Sequence, residues 1–114
     1  MAQDCVFCRI ARGELPADLV AESERWLAFR DLSPRAPVHV LIIPREHFES
    51  LRELEEAHRD LAGELLLAAQ AVADQEGVGG GYRLVANTGP EAGQTVFHLH
   101  LHVIGGRTMR WPPG

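Results

Sequence analysis

The hydrophobic pattern of the chain predicts an α+β fold in which an antiparallel sheet of five strands carries one long helix. Two observations predict it. Short runs rich in β-branched and aromatic residues mostly follow one another closely, as strands joined to their sequence neighbours do. A single long stretch instead repeats apolar residues at spacings of three and four, and glycine and proline punctuate the boundaries.

Taken in order, Cys5 to Arg12 reads as a short helix, closed by Gly13 and then by Pro16, which cannot continue one. Leu19 to Glu22 and Trp26 to Arg30 read as the strands of a hairpin joined by the polar Ser23-Glu24-Arg25. After the loop Asp31 to Pro37, Val38 to Ile43 is β-branched and bounded by Pro37 and Pro44, a strand buried on at least one face. The stripe Leu54, Ala57, Leu61, Leu65, Ala68 and Val72 predicts the long helix over about Leu54 to Glu76, laid on the sheet and stopped by Gly77 and Gly79 to Gly81. Tyr82 to Asn87 is the fourth strand, Asn87 to Gln94 a turn-rich loop, and Phe97 to Ile104 the fifth strand, ending at Gly105-Gly106. The tail Arg107 to Gly114, with Trp111-Pro112-Pro113, is too rich in proline for regular structure.

The 114 residues, 46% hydrophobic and 24% charged, suit one folded domain over 1–114. A net charge of −5 argues against a broad electrostatic grip on a nucleic-acid polymer, so an anionic ligand has to be held locally. No apolar run approaches the roughly 20 residues needed to cross a bilayer, which sets membrane spanning aside. Met1 to Asp4 lacks the pattern of a secretion leader, and a cytoplasmic location is expected. The only cysteines, Cys5 and Cys8, form a C-x-x-C that in a reducing compartment suggests a metal site or a redox pair more than a structural disulfide.

The chemistry concentrates in His98-Leu99-His100-Leu101-His102. On a strand the three imidazoles face one side and the leucines, with Val103, face the core. A solvated face is the ordinary reading of one such histidine. Three in strict alternation point to function, because histidine has no strong β preference and titrates near neutrality.

Two uses compete. Neighbouring rings about 6.6 Å apart at the backbone can converge on one metal ion, although the outer pair, about 13 Å apart, joins it only with strain. Alternatively His100 is a nucleophile oriented by its neighbours, needing no base if one ring nitrogen is bare while the other donates to a backbone carbonyl. Phosphorus is the natural target, since nitrogen attack gives a phosphoramidate that water can discharge. The preceding Gly89-Pro90-Glu91-Ala92-Gly93-Gln94-Thr95 offers close backbone approach, an amide and a hydroxyl to phosphate oxygens or a leaving group.

His98-x-His100-x-His102 followed by two apolar residues resembles the histidine-triad nucleotide hydrolases. The resemblance runs from Phe7 through Phe29-Arg30-Asp31, Ala36-Pro37-Val38-His39, Asn87 and Gly93-Gln94-Thr95 to the ending Trp111-Pro112-Pro113-Gly114, which is similar to the nucleotide-binding branch. It implies a histidine-triad-like fold and a homodimer with one ten-stranded sheet. It also implies hydrolysis of purine nucleoside phosphoramidates through a nucleotidyl-histidine, releasing AMP or GMP, with no cofactor needed for catalysis.

By position, His100 would be the nucleophile, His98 and His102 would orient the site and contact phosphate, and Thr95 would protonate the leaving group. Asp31 would bind ribose, Phe29 and Leu32 the base, and Asn87, Gly93, Gln94 and Thr95 would surround the phosphate and leaving group. His39 would support the site, and Trp111 would reach the partner's site. Related nucleotidyl transferases imply that Cys5, Cys8, His47 and His98 form a closed, structural zinc site. His58, on the polar side of the long helix, is read as a solvated residue without a role.

Thr95 stands where the branch usually has serine, and Arg110 where close relatives often have histidine. Threonine at that position also occurs in the dinucleoside polyphosphate hydrolases of the family, the alternative activity, against which the Trp-Pro-Pro-Gly ending argues. A nucleotide-binding module with little catalysis and a zinc-dependent hydrolase using the triad as ligands are the remaining alternatives.

Overall fold

The computed structural model describes residues 5–114; Met1 to Asp4, read above for a leader, lie outside the described residues. Five strands form one antiparallel sheet: β1 (Leu19–Glu22), β2 (Trp26–Arg30), β3 (Val38–Pro44), β4 (Tyr82–Val85) and β5 (Leu101–Gly105), in the spatial order β1-β2-β3-β5-β4. The order follows from the connections. Ser23 closes the β1–β2 turn, its hydroxyl accepting the N–H groups of Arg25 and Trp26. The segment between β3 and β4 carries the helix, so β5 takes the free edge of β3 and β4 ends on the outside. Among the described residues no helix is long and apolar enough to cross a membrane.

Helix α1 (Val6–Ala11) and helix α2 (Arg59–Gln75) lie on opposite faces of the sheet. Under α2, Leu61, Leu65 and Val72 pack on Ala28, Val40, Ile42, Leu99, Leu101 and Val103. On the other face Phe7 of α1 packs with Leu27, Phe29, Leu41 and Ile43. Strand β3 contributes to both clusters, so its run of β-branched residues is buried on both faces. Helix α2 ends where Gly77, at φ +82°, donates to the Asp74 carbonyl and Val78 to that of Ala73, a pairing that satisfies the last carbonyls of the helix. Val78 then lies so close to Gly105 that no side chain fits there.

Several expectations need correction. The long helix starts at Arg59 and not at Leu54, because two separate 3-10 turns, Leu51–Glu53 and Glu56–His58, occupy the first part of the stripe. The Ser50 hydroxyl caps the first, and extended Leu54 separates the two. His58 accepts the Glu55 N–H at 2.9 Å and packs on Phe48, so it has a structural role and is not merely solvated. The second correction concerns the fifth strand, which begins at Leu101 and not at Phe97. In the register that pairs Ile42 with Leu101, Leu99 would next meet Pro44, which has no N–H to extend the ladder. The Leu99 N–H donates instead to the Phe48 carbonyl. The fourth strand is likewise shorter than expected, ending at Val85.

Ile42 is fully buried between β2, β5 and α2. Ile42→Ala is expected to lower stability by about 2–5 kcal/mol, measured by denaturant titration; a loss below about 1 kcal/mol would contradict this packing.

Candidate active site

The three histidines share the face opposite α2, while Leu99, Leu101 and Val103 enter the core beneath it. His98 and His100 are buried, and the ring of His102 lies 4.9 Å from that of His100. Each ring's tautomer follows from partners that can act in only one sense. The His98 carbonyl only accepts, so His100 Nδ1, 2.7 Å away, carries the hydrogen, and in the neutral ring the lone pair is on Nε2. The Arg35 backbone N–H only donates, at 3.0 Å, so neutral His39 is protonated on Nε2. That N–H lies 2.9 Å from His102 Nδ1, which therefore accepts and leaves the hydrogen of His102 on Nε2. Among the described residues His102 Nε2 is the one buried side-chain nitrogen or oxygen without a protein partner. A bare nitrogen and an N–H in search of an acceptor thus stand on adjacent rings.

Burial, and then the neighbouring His100 and His39, push the His102 ring down to about 4, from an ordinary value near 6.5, although Asp31 opposes the shift. Burial lowers His39 as well. Neutral rings at physiological pH preserve the relay of tautomers.

Two concave spaces meet at the triad. One, of about 370 Å³, is walled by Phe7, Ile10, Phe29, Leu32 and Leu41 and ends at His100 and His102. The other, of about 390 Å³, gathers more polar side chains, with Asp31, His39, Asn87, Gly93 and Thr95 among its walls. Asp31, Thr95 and His102 belong to both. The Asp31 carboxylate is turned by the Ser33 N–H, which it accepts at 2.7 Å.

The structure does not bring every expected residue to these spaces. The Gln94 amide is buried inside its own loop, donating to the Glu49 and Val96 carbonyls and accepting from the Gly89 N–H, so it braces the loop that carries Thr95. Trp111 is 81% exposed, lies beside Arg83 and is in the wall of neither space. Conversely, Val6, Phe7, Ile10, Leu41 and Val96 line the apolar space and were not singled out by the sequence. Their hydrophobicity alone reads as core, and only Val6 and Phe7, which lie between the two cysteines, carried a distinguishing context.

The second cluster joins α1 to the triad. Cys5 caps α1, its Sγ accepting the Cys8 N–H. Cys5 Sγ lies 3.2 Å and Cys8 Sγ 3.5 Å from His98 Nδ1, while His47 Nδ1 lies 3.3 Å from Cys8 Sγ and 3.2 Å from His98 Nδ1. Ligands about 2.0–2.3 Å from a tetrahedral zinc stand about 3.3–3.8 Å from one another, so these four fit the ion. The tautomer of His98 agrees. Its Nε2–H donates to the Pro44 carbonyl at 2.9 Å, leaving Nδ1 bare toward the cysteines, with the outer-shell hydrogen bond characteristic of a metal-binding histidine. Burial and the hydrogen bond with Cys5 push the Cys8 thiol up to about 11, so a bound metal has to displace its proton.

Asp31, His39 and His102 also bring ligand atoms together. There the Arg35 N–H occupies His39 Nδ1 and forces a hydrogen onto the Nε2 that would ligate, so this group is built for proton placement and not for a metal.

Because the folded protein holds His102 neutral more strongly than the unfolded chain does, the unfolded state binds more protons at mildly acidic pH. The stability from this ring is therefore full above pH 6.5 and is lost as pH falls through about 4. Melting temperatures of the metal-loaded protein are expected to fall across that window, and less steeply for His102→Gln. Equal slopes in the two proteins would contradict the assignment.

Comparison with known proteins identifies the family. The HIT domain model matches residues 12–109. An uncharacterized HIT-like protein of Synechococcus elongatus is 53% identical over 114 residues, covering 100% of both chains. A 14 kDa zinc-binding protein of Brassica juncea is 48% identical over 113 residues, covering 97% of this chain and 100% of its own. The adenylylsulfatase HINT1 of Arabidopsis thaliana is 48% identical over 111 residues, covering 96% and 76%. Among solved structures, a HIT family hydrolase from Legionella pneumophila superposes with a TM-score of 0.94 at 47% identity, covering 96% of this chain and 99% of that one. A zinc-bound histidine triad family protein from Mycobacterium smegmatis gives 0.78 at 35% identity, covering 94% and 78%. The triad, the sheet that presents it and these matches together mean that the chain belongs to the HIT domain, or histidine triad, family.

Proposed function

We propose that this protein hydrolyses purine nucleoside 5′-phosphoramidates and related nucleotidyl conjugates, releasing AMP or GMP through a nucleotidyl-histidine on His100. One observation carries the reading: the bare Nε2 of His100 stands beside the unpartnered Nε2–H of His102 at the junction of the two cavities. The first can attack phosphorus while the second donates to a phosphoryl oxygen as its charge grows. The adenylylsulfatase of Arabidopsis and the Legionella hydrolase support hydrolytic chemistry of this class.

In the first step His100 Nε2 bonds to the α-phosphorus as the bond from phosphorus to the leaving nitrogen breaks. The positive charge that develops on the ring is shared through Nδ1–H with the His98 carbonyl. The Thr95 hydroxyl, in the wall of both cavities, can relay a proton from solvent to the departing amine, taking up one proton as it passes one on. In the second step water bonds to phosphorus and releases one proton to solvent, the bond from phosphorus to His100 breaks, and the nucleotide leaves with His100 neutral again. Asp31 suits the ribose hydroxyls, and Phe29, Leu32 and Leu41 suit the flat faces of a purine.

Zinc held by Cys5, Cys8, His47 and His98 would be structural, since four protein ligands leave no open position for chemistry. The zinc-binding relative in Brassica and the zinc-bound Mycobacterium structure support that choice of metal. A homodimer is part of the same reading. Strand β4 is an open sheet edge, and Leu66 and Leu67 of α2 are exposed, so pairing two β4 edges would give one ten-stranded sheet and a path for Trp111 to the second site. Sedimentation at micromolar concentration is expected to give twice the chain mass; a monomer would exclude this arrangement.

Adenosine 5′-phosphoramidate is expected to yield AMP, with a slow-turnover analogue leaving its nucleotidyl group on His100 in peptide mass spectrometry. His100→Ala should abolish turnover and adduct together. His102→Ala should lower kcat by about 10²–10³, with the adduct still on His100. Label found on any other residue, or full turnover by His100→Ala, would exclude the nucleophile.

A further inference from the structure

Helix α1 has a second part in the site that its place in the metal cluster alone does not explain. The residues between Cys5 and Cys8 are Val6 and Phe7, and both line the apolar cavity, as does Ile10 one turn further on. The Phe7 ring meets three others edge-on: Phe29 at 5.6 Å, His98 at 5.9 Å and His100 at 5.2 Å. One six-residue helix thus supplies a wall of the cavity and the surface against which the His100 ring rests.

A helix this short does not hold its shape without tertiary support. At its C-terminal end the support is the Arg45 guanidinium, which donates to the Ala11 carbonyl at 3.1 Å. At its N-terminal end the polar ties are Cys5 and Cys8 to His47 and His98. Without a metal these are contacts of buried or half-buried thiols, which are weak hydrogen-bonding groups. A metal turns them into coordinate bonds whose free energy belongs to the fold. His98 also connects the cluster to the nucleophile, since its ring is in the cluster and its carbonyl holds His100 Nδ1.

We infer that the Cys5–Cys8–His47–His98 metal site is a positioning device for the nucleotide pocket: by pinning the first turn of α1 it holds Phe7 against His100, so metal occupancy sets the affinity for nucleotide. Cys5, Cys8 and His47 are then positioning residues that act through Phe7 and His98. The inference rests on the nucleotide reading above and adds metal control of the same pocket.

The test compares zinc-loaded, chelator-stripped and zinc-restored protein, reading AMP affinity by calorimetry and backbone protection by hydrogen exchange. Stripping is expected to weaken AMP binding at least tenfold and to speed exchange in residues 6–9, while residues 40–42 and 101–103 keep their protection; restoring zinc reverses both. Cys8→Ala should behave as the stripped protein does even in the presence of zinc. Phe7→Ala separates pocket from metal: it should retain the cysteine-to-cobalt charge-transfer band after cobalt substitution yet bind AMP as weakly as the stripped protein, with Phe7→Leu recovering part of the loss. Equal AMP affinity with and without metal, or α1 exchange indifferent to metal, overturns the inference. If no form binds AMP, the nucleotide reading falls and takes the affinity claim with it, while exchange still decides whether the metal pins α1.

Discussion

The metal cluster and the His100 ring both hang on the way His98 satisfies itself. It is fully buried, and a buried imidazole with an unused donor or acceptor is costly. Its Nε2–H goes to the Pro44 carbonyl, its Nδ1 faces two thiols and His47, and its own carbonyl takes the Nδ1–H of His100. Each bond removes a choice from the next residue. With the Pro44 carbonyl on one nitrogen, the other must be bare toward the cysteines. With its main-chain oxygen taking the Nδ1–H of His100, the neutral His100 ring has its lone pair on Nε2.

The same economy of one-way partners runs through the other half of the site. A main-chain N–H at Arg35 sets His39, and His39 sets His102. In both chains a main-chain group decides where the protons sit. Burial reinforces the choice by keeping His39 and His102 uncharged, which preserves the lone pairs the relay depends on.

The sheet keeps these demands separate from stability. Alternation along β3 and β5 sends Val40, Ile42, Leu101 and Val103 to α2 and His39, Leu41 and His102 to the opposite face. Pro44 marks the end of the regular ladder. Beyond it the chain from Phe97 to His100 leaves the β5 pairing, which frees the Pro44 carbonyl for the His98 ring and the His98 carbonyl for the His100 ring. The departure from ideal strand geometry at His98 and His100 is therefore what lets main-chain oxygens serve as tautomer locks.

The sequence by itself determined the number and order of the strands, though not the bounds of the fourth and fifth, as well as the long helix, the shared face of the three histidines and the C-x-x-C, because period and spacing are local properties of a chain. It also led to the family, through motifs that stand in order along the chain. It misplaced the start of α2, because capping by Ser50 and His58 outweighs an unbroken apolar stripe, and it gave Gln94 to a ligand when burial turns that amide inward. Only the tertiary structure decided which nitrogen of each ring is bare, that His39 governs His102, and that Phe7 shares a wall with His100. Those facts depend on contacts between residues up to 93 positions apart, and a pattern read along one dimension holds no information about which lone pair meets which proton.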